Sequence, residues 1–186
     1  MNLTTIICRI NPNLATDIIS LVKLGKYDWV NDDAYKFSYE KTDAKEIELV
    51  SFDKAISSED AIKEMDKNGL RPATATELLI LGAEHPELQR NNPIVALGSV
   101  RQFRGGGRVV ASLRRGGSER DLRLRWFDCG WSECYRFAAV RKSSDSVTLG
   151  SGVGPLVGSA PSVSIGGSSL PSQRKRFAST ARSAWR

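Results

Sequence analysis

No apolar run approaches 18 residues in this 186-residue chain, so no segment reads as a membrane-spanning helix. The opening MNLTTIICRI lacks a charged stretch ahead of an apolar one, which argues against a signal peptide and for a cytoplasmic protein, bacterial or viral. Histidine is almost absent: His85 stands alone, beside Pro86 in an expected exposed loop. Cysteine is scarce, with Cys8, Cys129 and Cys134 making an odd number and no metal-type C-x-x-C pair. A disulfide framework and a zinc site are therefore not expected, and the thiols are read as reduced. With no base placed to activate a cysteine and no converging ligand set, the expectation is no catalytic residue, no metal and no cofactor. Gly105-Gly106-Gly107 lacks the Lys-Ser/Thr sequel and the helix of a phosphate-binding loop, and reads as a hairpin turn.

Charge is present but divided. Residues 1–100 hold 11 Lys/Arg against 16 Asp/Glu, a net of −5, whereas residues 101–186 hold 16 against 5, a net of +11. All bases in the second half are arginine except Lys142 and Lys175. Such a split describes an acidic scaffold with a basic face or arm.

The hydrophobic pattern outlines an α+β chain. Residues 12–25 read as a helix, with Pro12 in its first turn, Leu14, Ile18, Leu21 and Val22 on one face, and Gly25 as its stop. Residues 46–52 alternate as a strand. Ser57 followed by Glu59 and Asp60 caps a second helix that ends at Gly69. Leu70–Ala73 is extended, because Pro72 disfavours helix before it, and Thr74-x-x-Glu77 is a capping box opening an apolar, buried helix. Strands are expected over 94–100, 108–113, 122–127 and 135–141. In 122–127 one face would be core and the other a ladder of Arg123 and Arg125. Residues 143–186, with 12 Ser, 6 Gly and only Asp145 as an acid, form a low-complexity basic stretch expected to be a disordered tail.

Taken in order, Val50-Ser51-Phe52, Ser58–Ala61, Gly69–Leu78, Gly116-Gly117-Ser118 and Arg136–Arg141 resemble the formylglycine-generating-enzyme-like branch of the C-type lectin fold. The segments Asp28–Asn31, Gly69–Ala83, Pro86–Val100 and Trp126–Lys142 are similar to a set of uncharacterised proteins of candidate-phylum bacteria. The resemblance implies a C-type-lectin-like domain over 1–142, built from short twisted antiparallel strands and two to three helices. Segment 113–135 also resembles the variable region of target proteins of diversity-generating retroelements, which display hypervariable side chains on a lectin scaffold. Asp128, Cys129, Gly130, Ser132, Cys134 and Tyr135 are all types that adenine mutagenesis of AAY codons can reach. They are interleaved with Trp126, Trp131 and Phe137, expected as core props.

The site expected from these readings comprises Arg123, Arg125, Phe127, Asp128, Gly130, Ser132 and Tyr135. Large aromatic and arginine side chains dominate binding hot spots because they combine area, few rotors and directional donors. The leading expectation is a non-enzymatic module for a protein or glycan ligand. One alternative is a divergent formylglycine-generating-type oxidoreductase, against which the resemblance itself speaks. Cys129 and Cys134 lie too close to Arg136-Phe137 to match that family's cysteine pair. The other is a basic nucleic-acid-binding protein, whose binding would be weak, sequence-independent and salt-sensitive.

Overall fold

Strand β1, Leu3–Arg9, pairs antiparallel with β3, Glu46–Phe52, in a continuous register from Leu3 against Phe52 to Arg9 against Glu46. Between them lie helix α1 (Ile18–Gly25), the two-residue strand β2 (Trp29–Val30) and a 3-10 turn (Asp32–Lys36). Helix α2 (Ser58–Lys67), strand β4 (Leu70–Pro72), helix α3 (Ala75–Glu84) and the short helix α4 (Leu88–Asn91) follow. The chain then runs through β5 (Ile94–Val95), β6 (Arg101–Gln102), β7 (Arg108–Gly116), β8 (Glu119–Trp126) and β9 (Arg136–Arg141). These elements come from a computed structural model that describes residues 3–142. The expected tail, 143–186, lies outside the described residues.

The fold is mixed α+β, with nine strands in one sheet ordered β1-β3-β9-β5-β7-β8-β2, β4 beside β9 and β6 beside β7. Most pairs are antiparallel, but β5–β9 and β2–β8 are parallel, so the all-antiparallel expectation is corrected. Among the described residues four α-helices stand where two to three were expected. Alternation along the strands builds two cores. Ile47, Leu49, Ala111, Leu113, Ala138 and Val140 pack with α1 and α3, while Val50, Phe52, Val110, Phe137 and Ala139 pack with α2 and Trp131.

Local capping explains the helix boundaries. Ser57 Oγ accepts from the Asp60 N–H at 3.1 Å. Thr74 and Glu77 close a reciprocal capping box, with 3.3 and 2.8 Å bonds. The first helix starts at Ile18 and not at residue 12. Asp17 supplies the cap, accepting from Ser20 N at 2.8 Å, whereas Asn11-Pro12-Asn13 forms a local turn through Asn11 Oδ1. Gly25 is the last helical residue, and Lys26 takes the left-handed position at φ 47°. Glycine is needed at 25 for space: the Tyr27 ring fills the volume a β-carbon would take there, and the Tyr27 hydroxyl does the same at Gly82.

Arg120 locks this junction from within. Its buried guanidinium donates to Gly25 O at 2.6 Å, Gly82 O at 2.6 Å and Gln89 Oε1 at 3.0 Å, and lies 5.0 Å from the Tyr27 ring centroid. The carbonyl end of α1 attracts that positive charge. The expected strand 94–100 shortens to Ile94–Val95; Ala96 N still donates to Ala111 O at 3.2 Å, and Gly98 then runs against the carbonyls of Pro72 and Ala73, with no room for a side chain. The hairpin at Gly105–Gly107 joins β6 to β7 as expected, and no helix among the described residues is long and apolar enough to cross a membrane.

Candidate ligand-binding cleft

The cleft begins with a register. Strands β7 and β8 pair from Val109 against Trp126 to Gly116 against Glu119, turning at Gly117, whose φ of 66° strains any other residue. The ladder sets Ser112, Arg114, Asp121, Arg123 and Arg125 on one face and Leu113, Leu122 and Leu124 on the other. Leu122 is buried and Leu124 partly so, as the apolar face requires, while Arg123 and Arg125 are half-buried.

Beyond Trp126 the chain enters a loop held by buried anchors. Phe127 N donates to Arg108 O at 2.8 Å. Trp131 and Ile56 exchange backbone bonds of 2.8 and 2.9 Å, and the Trp131 indole N–H donates to Ser58 Oγ at 2.7 Å. Ser58 in turn donates to Phe127 O at 2.5 Å. Farther on, Asn92 Nδ2 donates to Cys134 O at 3.1 Å and Arg136 N to Pro93 O at 2.9 Å. The backbone is thus fixed by groups other than the intervening side chains. Asp128, Cys129, Gly130, Ser132 and Cys134 are exposed, and Tyr135 is half-buried with its ring 5.0 Å edge-on from Trp131.

Two aromatic expectations are reversed. Phe127, chosen for display, is buried in the second core with the Arg108 guanidinium 4.4 Å from its ring. Trp126, chosen as a core prop, is 47% exposed and packs edge-on to Phe103 at 5.6 Å. Phe127 keeps the face of Arg125 and of Arg125's cross-strand partner Val110, and at this end of the hairpin that face is covered by the second core, so alternation carries Phe127 inward. Trp131 and Phe137 are buried as expected.

Four of the seven expected residues, Arg125, Gly130, Ser132 and Tyr135, line one cleft of about 520 Å3. Residues 89–93 of the α4 region, Arg114, Arg115 and Cys134 complete it. The other three lie elsewhere. Arg123 pairs with the buried Asp121 at 2.9 Å and sits 4.8 Å from the Trp29 ring centroid. Asp128 pairs with Arg108, whose hydrogen bond holds that carboxyl below the usual carboxylate range against the opposing effect of desolvation. Arg90 on α4 was missed, since a four-residue helix carries no periodic signal. Arg114 was legible, because counting back from the Gly117 turn puts it on the face that carries Arg125, whereas Arg115 pairs with Arg120 on the opposite face.

A larger cavity of about 810 Å3 lies beside Glu77. Its central charge is internally satisfied: Glu77 accepts from both terminal nitrogens of Arg71, at 2.6 and 2.9 Å, from Thr42 Oγ1 at 2.6 Å and from Thr74 N at 2.8 Å. His85, expected in an exposed loop, is half-buried at the end of α3 with Nε2 2.7 Å from Arg9 O. No group of three or more His, Cys, Asp or Glu gathers to hold a metal among the described residues. No protein family, curated protein or solved structure matches this chain.

Proposed function

We propose that residues 1–142 are a C-type-lectin-like binding module that holds a protein or glycan ligand through segment 113–135, and that a retroelement diversifies this segment. The observation that carries the reading is Gly130. It is exposed, its φ is not positive, and a β-carbon built on it meets nothing within 4 Å. A glycine that serves neither a turn nor a close approach is a position where any side chain fits. Its neighbours Asp128, Cys129, Ser132 and Cys134 are exposed as well, between the buried Phe127 and Trp131. Asp128 is engaged by Arg108, so Cys129, Gly130, Ser132 and Cys134 carry the reading: exposed side chains on a fixed backbone are what a display surface requires. The lectin-like part of the reading is supported by β3 and the last strand, β9, pairing antiparallel with α2 and α3 between them in sequence.

The test is a library randomised at Asp128, Gly130, Ser132 and Tyr135, scored for soluble folded protein, together with sequencing of related reading frames from the same genome. Most members should fold, and natural differences should crowd into 113–135. A library that is mostly insoluble, or natural differences spread evenly along the chain, would overturn the reading.

A further inference from the structure

We propose that the cleft between α4, the β7–β8 hairpin and the 128–135 loop takes an acidic polypeptide segment, whose carboxylates are held by the guanidinium forks of Arg90, Arg114, Arg115 and Arg125. The proposal rests on the binding reading above and names the chemistry of its ligand. Four arginines from three elements converge on one cleft, and no Asp or Glu lines it. Among the described residues Arg90 and Arg125 enter no ion pair. Arg114 and Arg115 direct only Nε to backbone carbonyls, of Arg115 and Gly117, so their terminal nitrogens face no acceptor. Like charges gathered without counter-charge repel one another. A carboxylate relieves that repulsion and matches the planar fork with two parallel N–H···O bonds.

The distribution of charge favours a peptide over a nucleic acid. Residues 1–142 hold 22 Lys/Arg and 20 Asp/Glu, a net of only +2, so the cleft is a local concentration on a nearly neutral domain. A phosphate backbone needs a track of open cations. Elsewhere Arg101, Arg108, Arg123 and Arg141 are each engaged by a carboxylate of the same domain, and Arg136, beside the cleft, bonds only the carbonyls of Glu133 and Tyr135. The volume of about 520 Å3 suits a few side chains. Asn91 and Ser132 supply neutral donors and acceptors for a peptide backbone, and Tyr135 an apolar ring for its side chains.

The experiment uses the full chain and fluorescence anisotropy at about 0.15 M salt. The probes are a labelled decaglutamate peptide, a Gly/Ser peptide of equal length and a single-stranded DNA oligonucleotide of equal charge. The glutamate peptide should bind and the neutral one should not. Arg90→Gln with Arg125→Gln should raise its Kd about tenfold or more with an unchanged circular dichroism spectrum. Arg125→Lys keeps the charge, guards against misfolding as the cause, and should restore binding only in part because the ammonium cannot make the fork. Glutamate binding indifferent to these substitutions would overturn the assignment. So would an oligonucleotide that binds more tightly than the peptide and loses its affinity with them. If no anion binds while a library-selected ligand still depends on Ser132 and Tyr135, the anionic ligand is wrong and display stands. If the library fails to fold, the display reading fails whatever the peptide does.

Discussion

Trp131 and Ser58, 73 residues apart in sequence, meet in a buried 2.7 Å hydrogen bond from the indole N–H to the hydroxyl. Because Ser58 also donates to Phe127 O, one side chain satisfies both ends of the loop's inner turn. Ser58→Ala should therefore leave a buried donor and a buried acceptor unpaired, lowering stability by about 2–4 kcal/mol. Urea unfolding checks this, and a loss under about 0.5 kcal/mol would show that the loop is not pinned here.

Substitutions on the loop should divide sharply by position. Gly130→Ser and Ser132→Ala should change stability by about 0.5 kcal/mol or less, as at open surface sites. Trp131→Ala should cost about 3–5 kcal/mol, since its ring is 1% exposed. Tyr135→Ala should fall between, about 1 kcal/mol, for its edge-on contact with Trp131. Thermal melts of the four variants suffice to rank them, and Ser132→Ala costing as much as Trp131→Ala would place the loop in the core.

Much of this was readable where local chemistry decides structure. Strand β3, the caps of α2 and α3, and the burial of Trp131 follow from alternation, Ser57, the Thr74–Glu77 box and aromatic size. Strand β1 carries no such signature, because Thr4, Thr5, Ile6 and Ile7 are all exposed on an outer strand. Only its pairing with β3, a strand distant in sequence, makes it a strand. The cleft was half legible for the same reason. Arg125, Gly130, Ser132 and Tyr135 share one stretch of sequence, but Arg90 reaches them through tertiary packing of α4. The exchange of roles between Trp126 and Phe127 turns on which face of the hairpin the second core covers at this end, which the period-two pattern does not encode.

Arg120 offers a test of the α1–α3 junction. Arg120→Met removes the donor to Gly25 O, Gly82 O and Gln89 Oε1 and should destabilise the domain by about 2–4 kcal/mol. Arg120→Lys should rescue little, because one ammonium cannot span acceptors arranged for a planar fork. Chemical denaturation of both variants reads the difference, and a lysine variant as stable as the parent would contradict it.

Acid should weaken the fold through Glu77. Burial raises its pKa, but the bonds from Arg71, Thr42 and Thr74 outweigh that and hold the carboxyl below its ordinary 4.5. A depressed folded-state pKa means stability present above 4.5 and lost as the pH falls through the lower folded value. Glu77→Gln should be less stable than the parent at neutral pH and lose less on acidification. Denaturation midpoints from pH 7 to about 3 test this, and parallel curves for the two proteins would assign the acid sensitivity to other groups.

Strand β9, at residues 136–141, sits inside the sheet between β3 and β5 and also pairs with β4. On the ribosome this means the sheet has no centre until its final strand has been made. Until then β3 and β5 have no bridge, and the apolar faces that meet across Phe137 and Ala138 stay open to water. Folding must await nearly the whole domain and proceed through contacts far apart in sequence, a slow topology during which apolar surface stays exposed.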